Sequence, residues 1–420
     1  MTTTAPAPER PASPFKELAG APALLSLLGW SLVGRLHLSA TLVALLVVAA
    51  DNTGSYATAG LVTGALVLGQ GITGPLRGRT VDRRPAARIL VWTSLLYGAG
   101  LAALAAVPEA AGWQALAGAA FVVGLACPPS TQVSRCKVAQ LAEGTLRQRA
   151  YNLQATVNEL VLVTGPGAAS LCIALVGARA SVAVCGALAA LGGLGLARAV
   201  RRAGVDAPPA RTGGAETGDT SSLARRSLLR NPAAVRAIAA VTVLIAGFSV
   251  VDFILISWSH ARGAPELGGL LTGVWAISSA AGGLAATFWL TGTAVLWRRL
   301  VLVTVGVALL LPALSERLGG GTAWTVAAAL ALGGTVIPPA LAALYDSVAE
   351  FAGDAHRAEA FGWIAATTTA ASAVANPVAG AVLDRWGAMA AATIALTACC
   401  LATALITGQR RTKSRTTLLS

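Results

Sequence analysis

Residues 59–64 read Ala59-Gly60-Leu61-Val62-Thr63-Gly64, and residues 268–273 read Gly268-Gly269-Leu270-Leu271-Thr272-Gly273. Gly269 lies 209 positions beyond Gly60. Three further correspondences follow in chain order at an offset of 210: Pro128-Pro129 with Pro338-Pro339, Arg147-x-x-Ala150-Tyr151 with Arg357-x-x-Ala360-Phe361, and Gly177 with Gly387. A single match would be chance. Four in order, at spacings of 209 and 210, indicate an internal duplication.

Hydropathy shows what is duplicated. A helix that crosses the hydrocarbon core needs about 20 mostly apolar residues. On that criterion spans fall near 22–50, 57–77, 89–107, 113–134, 153–176 and 179–197, then near 235–258, 267–291, 299–316, 323–345, 361–382 and 388–407. With six spans per half, the offset relates helices of the same orientation. Parallel repeats of this kind build a substrate path between two bundles in many secondary transporters. The predicted fold is therefore an all-α integral membrane protein of about twelve transmembrane helices, in two six-helix bundles related by a parallel pseudo-two-fold repeat. The bundles are expected at 21–197 and 235–407. A disordered cytoplasmic N-terminus covers 1–20, a cytoplasmic linker 198–234 and a cytoplasmic tail 408–420. The first apolar run, Ala21 to Ala50, is too long for a signal-peptide core and is expected to stay as the first span.

Composition supports this division. Hydrophobic residues make up 55% of the 420 and charged residues only 12%, against about 25% charge in soluble domains. The net charge of +13 does not point to a nucleic-acid partner, because the basic residues fall in short segments between apolar runs. With both termini inside, the outer loops hold only Arg179, Arg262, Arg317 and Arg385, while 26 of the 31 basic residues fall inside. The positive-inside rule thus places both termini in the cytoplasm of a multi-pass protein of the cell membrane. Arginines flanking the linker are expected against anionic lipid. The six cysteines have no metal-site or disulfide spacing.

The segment after the second span reads Gly74-Pro75-Leu76-Arg77-Gly78-Arg79-Thr80-Val81-Asp82-Arg83-Arg84-Pro85-Ala86-Ala87-Arg88. It resembles the signature loop of the major facilitator superfamily, Gly-x-x-x-Asp-Arg-x-Gly-Arg-Arg, at the expected place between helices two and three. Gly78, Asp82 and Arg83 match. Pro85 stands in place of the second glycine and Ala86 in place of the following arginine, so the turn departs from the family's pattern. The resemblance implies a cytoplasmic gate in which Asp82 contacts the other half near the start of the eleventh helix. Gly78, Arg79 and Arg83 belong to that gate motif, with Arg135, at the inner end of the fourth span, as a candidate partner. The corresponding loop of the second half, around Leu296 to Leu300, lacks the motif. The family's fold implies a cavity lined by helices one, four, seven and ten, and a monomer.

Ionisable groups inside spans are costly, roughly 2.5–3.5 kcal/mol each on insertion scales, and usually face protein or water. Arg35, Glu159 and Asp252 are of this kind, with His37 close to Arg35. Arg35 and Glu159 are expected to form a charge pair by the cavity, and Asp252 or Glu159 to carry a proton as access switches. Structural roles compete with these: a pair that only fixes packing, an end-of-helix carboxylate for Asp252, a packing residue for His37. Pro128, Pro129, Gly165, Pro166, Pro338 and Pro339 are expected to bend or interrupt their helices. Gly60 with Gly64, and Gly269 with Gly273, read as helix-packing pairs.

No phosphate-binding loop or ATPase-sized soluble segment is present, and the three histidines are scattered with no His-Glu-x-x-His or Gly-x-Ser-x-Gly pattern. The expected function is secondary active transport of a small organic molecule by alternating access, proton-coupled and directed outward for a drug-like compound or metabolite. The expected partners are that substrate, protons and membrane lipid, with no cofactor or metal. Uptake of a small metabolite is the main alternative. A membrane-embedded enzyme, or a receptor or scramblase, is the remote one. Flux that follows an imposed pH gradient separates them.

Overall fold

The computed structural model describes residues 20–53, 56–108, 111–208, 228–264, 266–288, 296–316 and 320–417. The expected linker core at 209–227 and most of the 1–20 segment lie outside them. Among the described residues every regular element is a helix. In the first half these are α1 (Pro22–Thr53), α2 (Tyr56–Arg83), α3 (Ala86–Ala105), α4 (Trp113–Leu125), α5 (Ser130–Leu141), α6 (Gly144–Val176) and α7 (Ala178–Arg202). A single 3-10 turn, Leu228–Arg230, leads into α8 (Pro232–Ala261), α9 (Glu266–Phe288), α10 (Leu296–Ala308), α11 (Leu310–Leu314), α12 (Ala323–Gly334) and α13 (Ile337–Thr417).

Ten helices among the described residues are long and apolar enough to cross a membrane. The expected spans outside that group are 153–176, within α6, and 361–382, within α13; both are helical. Thr367 to Thr369 and Asn376 dilute the second of these. The last helix continues to Thr417, beyond the expected end of the twelfth span at 407.

Backbone geometry repeats with the sequence. Gly177 (φ 83°, ψ 163°) joins α6 to α7, and Gly387 (φ 75°, ψ −178°) breaks α13 at the matching place. Only glycine occupies that region without strain, so the same tight corner is built twice. Gly353 (φ 64°) makes a second break in α13. The segments 354–386 and 388–417 therefore stand where the eleventh and twelfth spans are expected.

Lipid is as apolar as leucine, so helices in a membrane associate through close packing rather than water exclusion. Small residues set the contacts here: Gly34 of α1 lies on Gly192 of α7, and Gly98 of α3 on Gly186 of α7. A Cβ on Gly192 would come within 2.3 Å of Gly34. The halves meet along two further lines, α2 against the 354–386 segment and α6 against α9. Gly74 rests on Gly362 in the first, and Gly283 on Thr156 in the second. Two such seams are what a two-fold relation between bundles requires. By contrast Gly60, Gly64, Gly269 and Gly273 have no heavy atom within 4 Å of a Cβ position. They are open surface rather than the packing pairs their spacing predicts, because a small-x-x-x-small pattern marks a smooth helix face and not what covers it.

Candidate functional site

At the end of α2 the Asp82 carboxylate, buried to 8% exposure, reaches across to the other half. Its Oδ1 accepts from the backbone N–H of Ala358 at 3.0 Å and its Oδ2 from that of Glu359 at 2.8 Å. Both donors lie in the first turns after the Gly353 break, where helix N–H groups and the dipole favour an anion. Gly78, one turn earlier, brings the backbones together: a Cβ there would sit 2.4 Å from the Ala358 carbonyl oxygen. Arg79 Nε donates to Glu359 Oε1 at 2.7 Å, and His356 Nδ1 lies 3.2 Å from Glu359 Oε2. A second ion pair between the halves joins Arg147 to Asp346 at 2.6 Å. Arg83 points to solvent.

Arg135 is not the partner of Asp82. Its guanidinium lies 3.7 Å from the ring centroid of Tyr345 and 5.8 Å from that of Phe361. The carboxylate is already satisfied by backbone donors, and the aromatic pair offers the cation a face instead.

The departures of the signature loop at Pro85 and Ala86 have a local answer. The cap residue of α3, Pro85, makes no side-chain capping bond. Asp206, at the start of the linker, supplies it: its Oδ1 accepts from Ala87 N at 2.7 Å and its backbone oxygen from Ala86 N at 3.3 Å. Lys137 Nζ donates to the Ala207 carbonyl at 3.4 Å and holds the same strand of chain.

Away from the Asp82 end, α2 and the 354–386 segment part, and with α1 they enclose a cavity of about 610 Å³. Leu42, Val43 and Leu46 of α1 face Gly60, Thr63, Val67, Leu68 and Ile72 of α2 and Ala366, Thr369 and Ala370 opposite. The wall is apolar except for threonine hydroxyls that already donate to their own helix, as Thr63 does to Ala59 O and Thr369 to Ala365 O. This cavity is thus formed by α1, α2 and the 354–386 segment. Arg35, His37 and Asp252 do not line it.

Arg35 is 2% exposed; its Nε donates to Ser31 O at 3.1 Å and its Nη2 has no partner. Its charge interacts with Arg135 and with Tyr345. The Glu159 side chain lies outside the described residues, as does that of Pro166. His37, 1% exposed, packs with its ring centroid 5.4 Å from that of Tyr97, and neither ring nitrogen has a partner. Asp252 is half-buried in α8 and makes no ion pair among the described residues.

The proline pairs act differently. Pro128-Pro129 separates α4 from α5, and the freed Cys127 carbonyl accepts from Arg77 Nη1. Pro338-Pro339 falls in the first turn of the helix that follows the break at Thr335–Val336, where proline is tolerated because first-turn N–H groups have no helical acceptor. Gly165 meets Ser39 of α1, whose Oγ donates to Val161 O at 3.1 Å.

Gly78, Arg79 and Asp82 all meet Ala358 or Glu359 of the other half. Glu359, Asp346 and Asp206, their partners and supports, carry no local motif. The repeat could have pointed to two of them, since Asp346 directly follows the repeat mate of Arg135, and Glu359 directly precedes Ala360, the repeat mate of Ala150.

The fold has clear relatives. A bacterial homologue of the iron transporter ferroportin, in its outward-facing state, superposes with a TM-score of 0.68 at 13% identity, covering 91% of this chain and 98% of that one. The human organic anion transporter MFSD10 (TETRAN) does so with a TM-score of 0.66 at 16% identity, over the same shares. At these identities the likeness is one of fold alone. No curated protein matches the sequence. The model of the Major Facilitator Superfamily matches residues 23–364, and with the duplicated bundles and the Asp82 contact between them already in view, the chain belongs to that superfamily of membrane transporters.

Proposed function

We propose that the chain exports a small, largely apolar organic molecule by proton-coupled alternating access. The observation that carries this is the contrast along one helix pair. At its Asp82 end α2 is locked to the 354–386 segment by a doubly bonded carboxylate and backbone contact at Gly78. At its other end the pair opens on a cavity of about 610 Å³. By the positive-inside reading the locked end is cytoplasmic. An access switch needs a contact of this kind, one that is complete in one state and broken in the other.

The wall chemistry supports an apolar cargo, and the cargo supports the direction. A compound held by leucine, valine and alanine also partitions into the bilayer and leaks inward unaided, so work is needed only to expel it. Asp252, half-buried with no ion pair among the described residues, supports coupling, because an intramembrane carboxylate without a partner is stabilised by taking up a proton.

Purified protein in liposomes, screened with lipophilic dyes under an imposed pH gradient, tests the reading. Gradient-driven flux is expected, with Asp252→Asn retaining dye exchange but losing its response to the gradient. Flux indifferent to the gradient in the unaltered protein removes proton coupling.

A further inference from the structure

The cation cluster at the centre of the molecule is not explained by an apolar cargo. Arg35 of α1 and Arg135 of α5 are 2% and 8% exposed, and neither has a carboxylate at ion-pair distance among the described residues. Both act on Tyr345: Arg135 lies over its ring at 3.7 Å, and the charge of Arg35 interacts with Tyr345 and with Arg135 itself. Each keeps an unused donor, Nη2 of Arg35 and Nε of Arg135. Two like charges buried within electrostatic reach of each other repel, and each has lost its hydration. A buried charge without a counter-ion is among the costliest arrangements a protein can hold. The stacking of Arg135 on Tyr345 offsets a part for one of them. Among the described residues Arg35 has only its bond to Ser31 O and its charge interaction with Tyr345.

The cluster also has a fixed relation to the cavity. Arg35, Leu42 and Leu46 follow one another on α1 at intervals of seven and then four residues. At 100° per residue these three fall within about 20° of one face, and Arg35 lies about 10 Å along the axis from Leu42. Leu42 and Leu46 are wall residues of the cavity. One face of one helix therefore carries the apolar wall and, below it, the Arg35 guanidinium, which has no ion pair among the described residues.

We infer that Arg35 and Arg135 form the headgroup site for an organic anion whose apolar body occupies the cavity between α1, α2 and the 354–386 segment. The cargo class is an amphipathic organic acid, a carboxylate or sulfonate on an aryl or alkyl body. Guanidinium groups suit it because they hold oxyanions through paired, planar N–H donors and stay charged when buried. A carboxylic acid of this class enters a cell in its neutral form and is trapped as the anion, which fits the outward direction proposed above. The inference rests on that transport reading but is tested apart from it.

The experiment is equilibrium binding of naphthalene-2-carboxylate and 2-naphthamide, which share the same apolar body, to the purified full-length chain in nanodiscs. The carboxylate is expected to bind at least about tenfold tighter, the scale of a charge-assisted bond to a buried cation. Arg35→Gln and Arg135→Gln should each lower the carboxylate toward the carboxamide and leave the carboxamide unchanged, whereas Arg385→Gln in an outer loop should keep the full ratio. The comparison within the unaltered protein needs no variant, so misfolding cannot imitate the result. Equal binding of the two compounds, binding of neither, or a ratio that survives both arginine changes overturns the site. Flux of the same compounds in proteoliposomes separates the two ideas. Discrimination in binding with no flux removes transport and keeps the site, while flux without discrimination does the reverse.

Discussion

The Arg135 guanidinium lies 3.7 Å from the ring centroid of Tyr345, and the two residues are 210 positions apart, the spacing of the internal repeat. Tyr151 and Phe361, another pair 210 apart, meet with ring centroids at 6.5 Å. Residues that correspond in two halves related by a two-fold axis touch each other only where they lie at that axis. These contacts therefore lie at the axis that relates the two halves.

Tyr345→Phe keeps the ring and is expected to melt within a degree or two of the unaltered protein. Tyr345→Leu removes the face on which Arg135 rests and should lose about 1–2 kcal/mol, as a desolvated cation–π contact does. Thermal unfolding in detergent separates them. Equal midpoints for the two variants would mean that the stacking contributes nothing.

Asp82→Ala leaves the Ala358 and Glu359 N–H groups without their acceptor and should populate the state open at that end. Cys136 is a native reporter, 1% exposed and within electrostatic reach of Asp82 and Arg357. In a variant retaining Cys136 as its sole cysteine, maleimide labelling is expected to rise several-fold on Asp82→Ala. Asp82→Asn, with one acceptor oxygen, should fall between. Labelling that ignores both changes would show that the carboxylate does not hold the gate.

Gly78→Val should abolish transport while the protein still assembles, since a Cβ there meets the Ala358 carbonyl oxygen at 2.4 Å and the helices cannot close. Gly269→Ala, with nothing within 4 Å of its Cβ and outside the cavity wall, should transport normally. Flux assays of the pair decide whether close approach, rather than glycine as such, is what the gate needs.

The Arg147–Asp346 pair is partly exposed, with side chains 21% and 26% accessible. Its coupling energy is accordingly expected near about 0.5–1 kcal/mol in a double-mutant cycle. The exchange Arg147→Asp with Asp346→Arg should recover most of the flux that either change alone removes. Singles and double that are equally impaired would assign the two residues separate roles.

Several features were legible before any coordinates, each for a physical reason. Span length and the bias of arginine are set by bilayer thickness and membrane charge, so they show in one dimension. Gly177 and Gly387 were legible as a pair because a left-handed corner tolerates little else, and Asp82 because its loop carries a family pattern. The apolar cavity wall was read in the opposite sense: the spacing of Gly60 and Gly64 describes a smooth face, and whether a helix covers it depends on the partner.

The sequence by itself determined a duplicated, membrane-spanning helical chain, because this follows from hydropathy, charge and backbone rules that act locally, and it marked Asp82 through the family pattern of its loop. Only the tertiary structure decided that Asp82 is met by backbone N–H groups of Ala358 and Glu359, that Arg135 rests on Tyr345, and that α1, α2 and the 354–386 segment enclose the cavity. Those contacts join residues more than 200 positions apart, and their partners are backbone groups and ring faces that any residue type nearby could have offered. Which of them meet is fixed by how two bundles pack about one axis.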